Sequence, residues 1–236
     1  ASPYDINMAL EVQGEFGRSV AVLSDGSMMS TIAVGAPGET SDAGAVHVLT
    51  VQLRRTSEGR RRKLTSVASA ELLSARRVSA LPAITTGERF GQSVAWLTGD
   101  DLAVGAPGSS NQGLVGTVYI MNGRSGELLA KILSPEPREE SLFGSCVSLA
   151  PDYDGNGHRE LLVGAPGEDD EGAVYMLAMP RVGPGGGPYV RYTPTTLGFL
   201  SRVPIGLSLA TLGPINEDDV VPDIAFGAPG YNSNTG

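Results

Sequence analysis

Short apolar runs, bounded by clusters of Gly, Pro, Asn and Asp, recur along the chain in one order. SVAVL (19–23) is followed by TIAV (31–34), then by Gly35-Ala36-Pro37-Gly38, a polar turn and GAVHVL (44–49). The order returns as SVAWL, DLAV, Gly105-Ala106-Pro107-Gly108 and GTVYIM (116–121), and again as SCVSLA, ELLV, Gly164-Ala165-Pro166-Gly167 and GAVYML (172–177). A fourth round has LSLATL, DIAF and Gly227-Ala228-Pro229-Gly230. Runs of this length, rich in β-branched residues and closed by turn formers, predict strands. The four tetrapeptides begin 70, 59 and 63 residues apart, so the pattern is an internal repeat.

Each repeat reads strand, loop, strand, turn, strand, then a variable stretch that should hold a fourth strand. A four-stranded antiparallel meander every ~60 residues is the unit of a β-propeller, longer than the ~40–50 of commoner blade types. The expected fold class is therefore all-β, with repeats at about 16–70, 90–135, 143–190 and 205–236, the last incomplete, in one segment 1–236. The Ala/Ser/Leu-rich stretch 66–76 is the one place where a short helix competes. A Phe-Gly pair opens three repeats (Phe16-Gly17, Phe90-Gly91, Phe143-Gly144), and Ile205-Gly206 opens the fourth. Glycine there suits a bulge or a close backbone approach, and the proline of GAPG ends a strand because it cannot donate to a ladder.

Phe-Gly, a loop, Gly-Ala-Pro, then Gly-x-Val-Tyr resembles the FG-GAP repeat of integrin α-subunit propellers, over about 16–236. The resemblance implies a seven-bladed ring of which about four blades are present here, as a portion of something longer; a self-contained four-bladed ring is the alternative.

Between the first two strands of repeat three lies Asp152-Tyr153-Asp154-Gly155-Asn156-Gly157-His158-Arg159-Glu160. Oxygen-bearing side chains stand at positions 1, 3, 5 and 9, a spacing that aims successive ligands inward at a hard cation taking 6–8 oxygens. Gly157 permits the sharp turn, and His158 would give its backbone carbonyl. The loop resembles the calcium-binding hairpin loops of integrin α propellers, where the ninth position is usually Asp, so Glu160 is a departure. An Asp/Asn/Gly hairpin turn without metal is the other reading. Repeat four offers a weaker set, Glu217, Asp219 and Asp223, with Ile215 at position 1 and Val220 where Gly is expected. Repeat one has Asp25 and Ser27 but Thr31 at position 9, and repeat two has only Thr98-Gly99-Asp100 before Asp101; neither is expected to bind metal.

Charge sharpens the picture. The chain carries a net −9, yet nine of its 17 Lys and Arg fall within 51–89 beside three acids, so the rest is strongly acidic. That argues against nucleic acid, which needs a positive footprint, and suits divalent cations. The basic stretch 54–77 reads as an exposed loop or extended outer hairpin of the first blade, either a contact for an acidic partner or a solvated insertion. Val182–Pro188 is glycine-rich and expected to be a flexible loop between blades three and four. A single cysteine, Cys146, allows no disulfide within the chain and reads as a small buried hydrophobe. No stretch approaches the ~20 apolar residues of a transmembrane helix. Residues 1–15 lack the layout of a signal peptide, as expected of a mature or internal portion.

A catalytic base and nucleophile are hard to find. His47 falls where two other repeats place Tyr119 and Tyr175, which suits a blade wall with a polar tip. Gly123-Arg124-Ser125-Gly126 lacks nucleophile-elbow spacing, and Asp169-Asp170-Glu171 reads as a solvated turn. The expectation is a non-catalytic, calcium-stabilised extracellular or cell-surface module for protein interaction and adhesion, its partners being other proteins or further repeats of the same chain. The alternatives are a structural subunit of an extracellular filament or appendage, and the non-catalytic propeller of a larger hydrolase.

Overall fold

The computed structural model describes residues 13–24, 28–55, 67–78, 84–108, 115–179, 187–198, 204–212, 215 and 223–229. The first sheet holds β1 (Ser19–Ser24), β2 (Met29–Ala36), β3 (Ala45–Arg55) and β4 (Val67–Val78). The second holds β5 (Ser93–Trp96), β6 (Asp101–Ala106), β7 (Thr117–Asn122) and β8 (Leu128–Leu133). The third holds β9 (Cys146–Leu149), β10 (Leu161–Ala165), β11 (Ala173–Leu177) and β12 (Tyr189–Tyr192). Each is an antiparallel meander in chain order, and a two-stranded sheet of β13 (Leu209–Thr211) and β14 (Ile224–Phe226) follows. These are the blades of a propeller. The segment 67–78 is a strand, not a helix, and it pairs with β3 to form the extended outer hairpin of blade one. The hairpin's tip, residues 182–186 of the glycine-rich loop, and Glu217 and Asp219 lie outside the described residues.

The first three GAPG copies do the same work. Their Gly-Ala pair completes the second strand, and their Pro-Gly turns the chain out of the ladder. In repeats one and three a tight turn follows, Glu39–Asp42 and Glu168–Asp170, with left-handed residues at Thr40, Ser41 and Asp169 rather than a regular helix.

The middle strands read as continuous apolar runs because both of their faces are buried. Along β6, alternation sends Leu102, Val104 and Ala106 into a cluster with Val46 and Val48 of blade one. Ala103 goes to a second cluster with Val163 and Ala165 of blade three. Along β7, Tyr119 and Met121 face one way, Val118 and Ile120 the other. A third cluster joins Leu162 and Val174 to Ile205. The cores are layers between blades, so each blade is stabilised by its neighbours. On the first blade, Val20 and Val22 of β1 are each 58% exposed.

Backbone contacts join the blades as well. The glycine after each Phe or Ile is left-handed, with φ of +91° to +94° at Gly17, Gly91, Gly144 and Gly206. That conformation lays its carbonyl against the first glycine of the preceding GAPG, so a Cβ on Gly35, Gly105 or Gly164 would overlap the carbonyl oxygen of Gly91, Gly144 or Gly206. Hydroxyls complete the contact, Ser19 Oγ donating to Gly91 O at 2.9 Å and Ser93 Oγ to Gly144 O at 2.8 Å. Alongside, Phe90 N donates to Ala43 O at 2.9 Å and Ile205 N to Glu171 O at 3.0 Å.

Candidate functional site

The acidic loop of blade three sits on the turn from β9 to β10. Ala150 N donating to Glu160 O at 2.8 Å closes its base. Within it, side-chain oxygens accept from backbone amides further along. Asp154 Oδ1 takes Asn156 N at 3.0 Å, Asn156 Oδ1 takes His158 N at 2.7 Å, and Asp152 Oδ2 takes Gly157 N at 2.8 Å. Such bonds are what Asp and Asn bring to tight turns. Gly155 and Gly157 are left-handed with open space around them, so backbone conformation and not room requires glycine.

This folding brings Asp152, Asp154 and Glu160 together, each offering a carboxylate oxygen within 4.8 Å of the others. Asp152 and Asp154 are exposed, whereas Glu160 is buried. Glu160 Oε2 accepts from Tyr153 N at 2.7 Å, but Oε1 is buried with no hydrogen-bond partner. Burial, then the charges of Asp154 and Asp152, push the Glu160 carboxyl above its ordinary value, and the Tyr153 amide opposes them. An orphaned buried carboxylate oxygen facing two more carboxylates costs several kcal/mol unless a cation or proton meets it. Hard oxygen donors without sulfur or imidazole suit a calcium-type ion. Asn156 joins the cluster through Nδ2, which donates to Asp154 Oδ2 at 2.9 Å, a bond an ion would compete for. The donor set fits a hard divalent cation.

In the corresponding loop of blade four, Asp223 Oδ2 accepts from Ile215 N at 2.8 Å. Blade two replaces the loop with a tight turn, in which Asp100 Oδ1 accepts from Arg124 Nε at 2.6 Å.

The other candidates resolve into blade architecture. His47 is buried with Nε2 2.7 Å from Glu39 Oε1. Tyr119 Oη donates to Glu88 Oε2 and Tyr175 Oη to Glu168 Oε2, each at 2.8 Å. A phenylalanine packs edge-on to each ring, Phe16 on His47, Phe90 on Tyr119 and Phe143 on Tyr175. Each ring also faces a cation across the outer strand pair, His47 opposite Arg77, Tyr119 opposite Lys131 and Tyr175 opposite Arg191. The buried Glu39, Glu88 and Glu168 were missed by sequence reasoning. A glutamate immediately after GAPG in repeats one and three was the available signal. Asp169 and Asp170 are exposed in their turn as expected, and Asp169 also pairs with Arg138 at 2.8 Å and Arg191 at 3.3 Å. Cys146 is half-buried rather than buried, at the edge of a cavity near the inner strands.

Residues 143–177 match the model of the FG-GAP repeat. The chain is 30% identical to integrin alpha-PS5 of Drosophila melanogaster over 181 residues, which cover 68% of this chain and 16% of that protein. It is 32% identical to integrin alpha-3 of Mus musculus over 135 residues, 55% of this chain and 12% of the relative. Against integrin alpha-7 of Homo sapiens it is 33% identical over 130 residues, 53% and 10% respectively. The chain thus spans no more than 16% of the length of these relatives.

Proposed function

We propose that this propeller segment, built of FG-GAP repeats and similar in sequence to integrin α subunits, is a non-catalytic adhesion module that contacts other proteins outside the cell and is stabilised by calcium. The observation that carries the reading is the combination of that similarity with a convergent carboxylate loop in the matched repeat, residues 143–177. Asp152, Asp154 and Glu160 would hold the ion through carboxylates, with Asn156 by its amide oxygen and His158 by its backbone carbonyl. Bound there, calcium would neutralise the loop's charge and tie the β9–β10 hairpin together. Asp223 with Glu217 and Asp219 would make a second, weaker site.

The loop lies at one end of the inner hairpins, where Leu149 pairs Leu161. The GAPG turns and the starts of the first strands lie at the opposite end, where Cys146 pairs Gly164 and Ser19 pairs Gly35. Partner contacts would be made at that second end, so the ion would act by stiffening blades rather than by touching a partner. The test is attachment of cells to surfaces coated with the chain, in calcium and in chelator. Attachment should exceed that on an albumin coat and fall in chelator; attachment equal to albumin in calcium would overturn the adhesion reading.

A further inference from the structure

The residue that follows each Phe-Gly or Ile-Gly pair is Arg18, Gln92, Ser145 or Leu207, and all four line one cavity of about 700 Å³. The repeat's backbone contacts fix this register, so one freely varying side chain per blade is delivered to a common space. Apolar residues make much of the wall, among them Val94, Val147 and Leu142, and among the described residues the lining holds no acid. That is notable in a chain of net −9.

Its charged and amide donors come from Arg18, Arg89 and Gln92. Of two arginines in the lining, Arg89 is engaged, with Nη2 2.8 Å from Glu15 Oε2 and Nη1 3.4 Å from Asp42 Oδ1. Arg18 is exposed and its guanidinium has no partner among the described residues. Gln92 accepts from Arg89 through Oε1, at 3.4 Å from Nε and 3.3 Å from Nη2, which assigns the oxygen to that side and leaves the Nε2 hydrogens without a protein acceptor among the described residues. The hydroxyls of Ser93 and Ser145 are spent on the carbonyls of Gly144 and Leu142.

We propose that this cavity binds a carboxylate side chain, Asp or Glu, presented by a protein partner between apolar neighbours. The guanidinium of Arg18 would pair with the carboxylate, Gln92 Nε2 would donate to it, and the valine and leucine walls would take the flanking residues. A basic side chain would meet Arg18 and find no counter-charge. The inference rests on the reading that this end of the blades makes the protein contacts.

The test titrates ¹⁵N-labelled full chain, in calcium, with N-acetyl-Leu-Glu-Leu-amide, its Gln and Lys counterparts, and sodium acetate. Side-chain resonances of Arg18 and Gln92 are followed. The Glu peptide should shift both saturably and bind at least about tenfold tighter than the Gln peptide. Arg18→Ala should remove that preference, Arg18→Lys restore part of it, and Arg124→Ala leave it unchanged. Equal binding of Glu and Gln peptides, or a preference that survives Arg18→Ala, would overturn the proposal. Acetate acting as strongly as the peptide would overturn a protein partner in favour of small carboxylates. If the Glu preference holds while cells fail to attach, the site stands and the adhesion reading falls; attachment with no Glu preference has the reverse meaning.

Discussion

His47 Nε2 lies 2.7 Å from Glu39 Oε1, in the place where the next two blades bring a tyrosine hydroxyl to a buried glutamate. In blades one and three the same carboxylate also takes an arginine from the outermost strand, Arg77 Nε on Glu39 at 2.5 Å and Arg191 Nε on Glu168 at 2.7 Å. The carboxylate thus fastens the third strand, the fourth strand and the turn after GAPG. Tyr175→Phe removes one hydrogen bond and leaves Glu168 paired, so it should cost about 1 kcal/mol in urea unfolding. Glu168→Ala removes the carboxylate that Tyr175 donates to and leaves Arg191 only Asp169 at 3.3 Å and Glu136 at 3.8 Å, so it should cost more, about 2–3 kcal/mol. Equal costs would refute this division of labour.

The contact between blades separates two reasons for a glycine. Gly17 is left-handed with nothing within 4 Å of an added Cβ, so Gly17→Ala should cost roughly 1–2 kcal/mol of backbone strain. Gly35 has no unusual φ, but its Cβ would overlap the carbonyl of Gly91 in the next blade. Gly35→Ala should therefore be the more damaging change, forcing the two blades apart. Urea midpoints of the two variants decide it, and the opposite ranking would remove the close approach as the reason for the motif.

Glu160→Gln should change sign with metal. In chelator the neutral amide relieves a buried, unpartnered charge, and the variant should be more stable than the parent by about 1–3 kcal/mol. In calcium the parent gains RT ln(1 + [L]/Kd), about 2.7 kcal/mol at a hundredfold excess over Kd, and the variant should lose most of that gain. Asp154→Ala should likewise abolish the calcium-dependent rise in Tm. Parallel melting shifts in parent and variants would remove the loop as the ion's site.

Burial pushes the Cys146 thiol above its ordinary value of 9.0, opposed only by a hydrogen bond from the Leu209 backbone. A raised value favours the neutral thiol in the folded state. The stability it contributes is fully present below pH 9 and is lost as pH rises through the folded value. Alkylation at pH 8 should therefore be at least about tenfold slower in the folded chain than in urea, where the thiolate is freely formed. Equal rates would refute it.

The blades were legible in the sequence because their strand runs and GAPG turns recur with a period. The contacts between blades were only half legible. A glycine beside an aromatic announces a close approach, but its partner is a main-chain carbonyl of another repeat and leaves no side-chain signature. Glu39 and Glu168 follow GAPG directly, yet blade two supplies Glu88 from ahead of Phe90, so no constant offset exposes the set. The loop at 152–160 was legible as a ligand pattern, whereas the lone oxygen of Glu160 emerged only from three-dimensional burial. The cavity was invisible, since Arg18, Gln92, Ser145 and Leu207 share nothing in sequence except their offset from a glycine.

The main-chain contacts between blades also order assembly in time. Ser19 reaches forward 72 residues to Gly91, and Ser93 reaches forward 51 to Gly144. A ribosome adding about 5–20 residues each second therefore releases a blade some seconds before the segment that completes its wall. During that interval the nascent blade carries an uncovered apolar flank, which the next repeat covers as it emerges. Synthesis in this direction turns a ring-like architecture into a relay, with each newly made repeat finishing the one made before it.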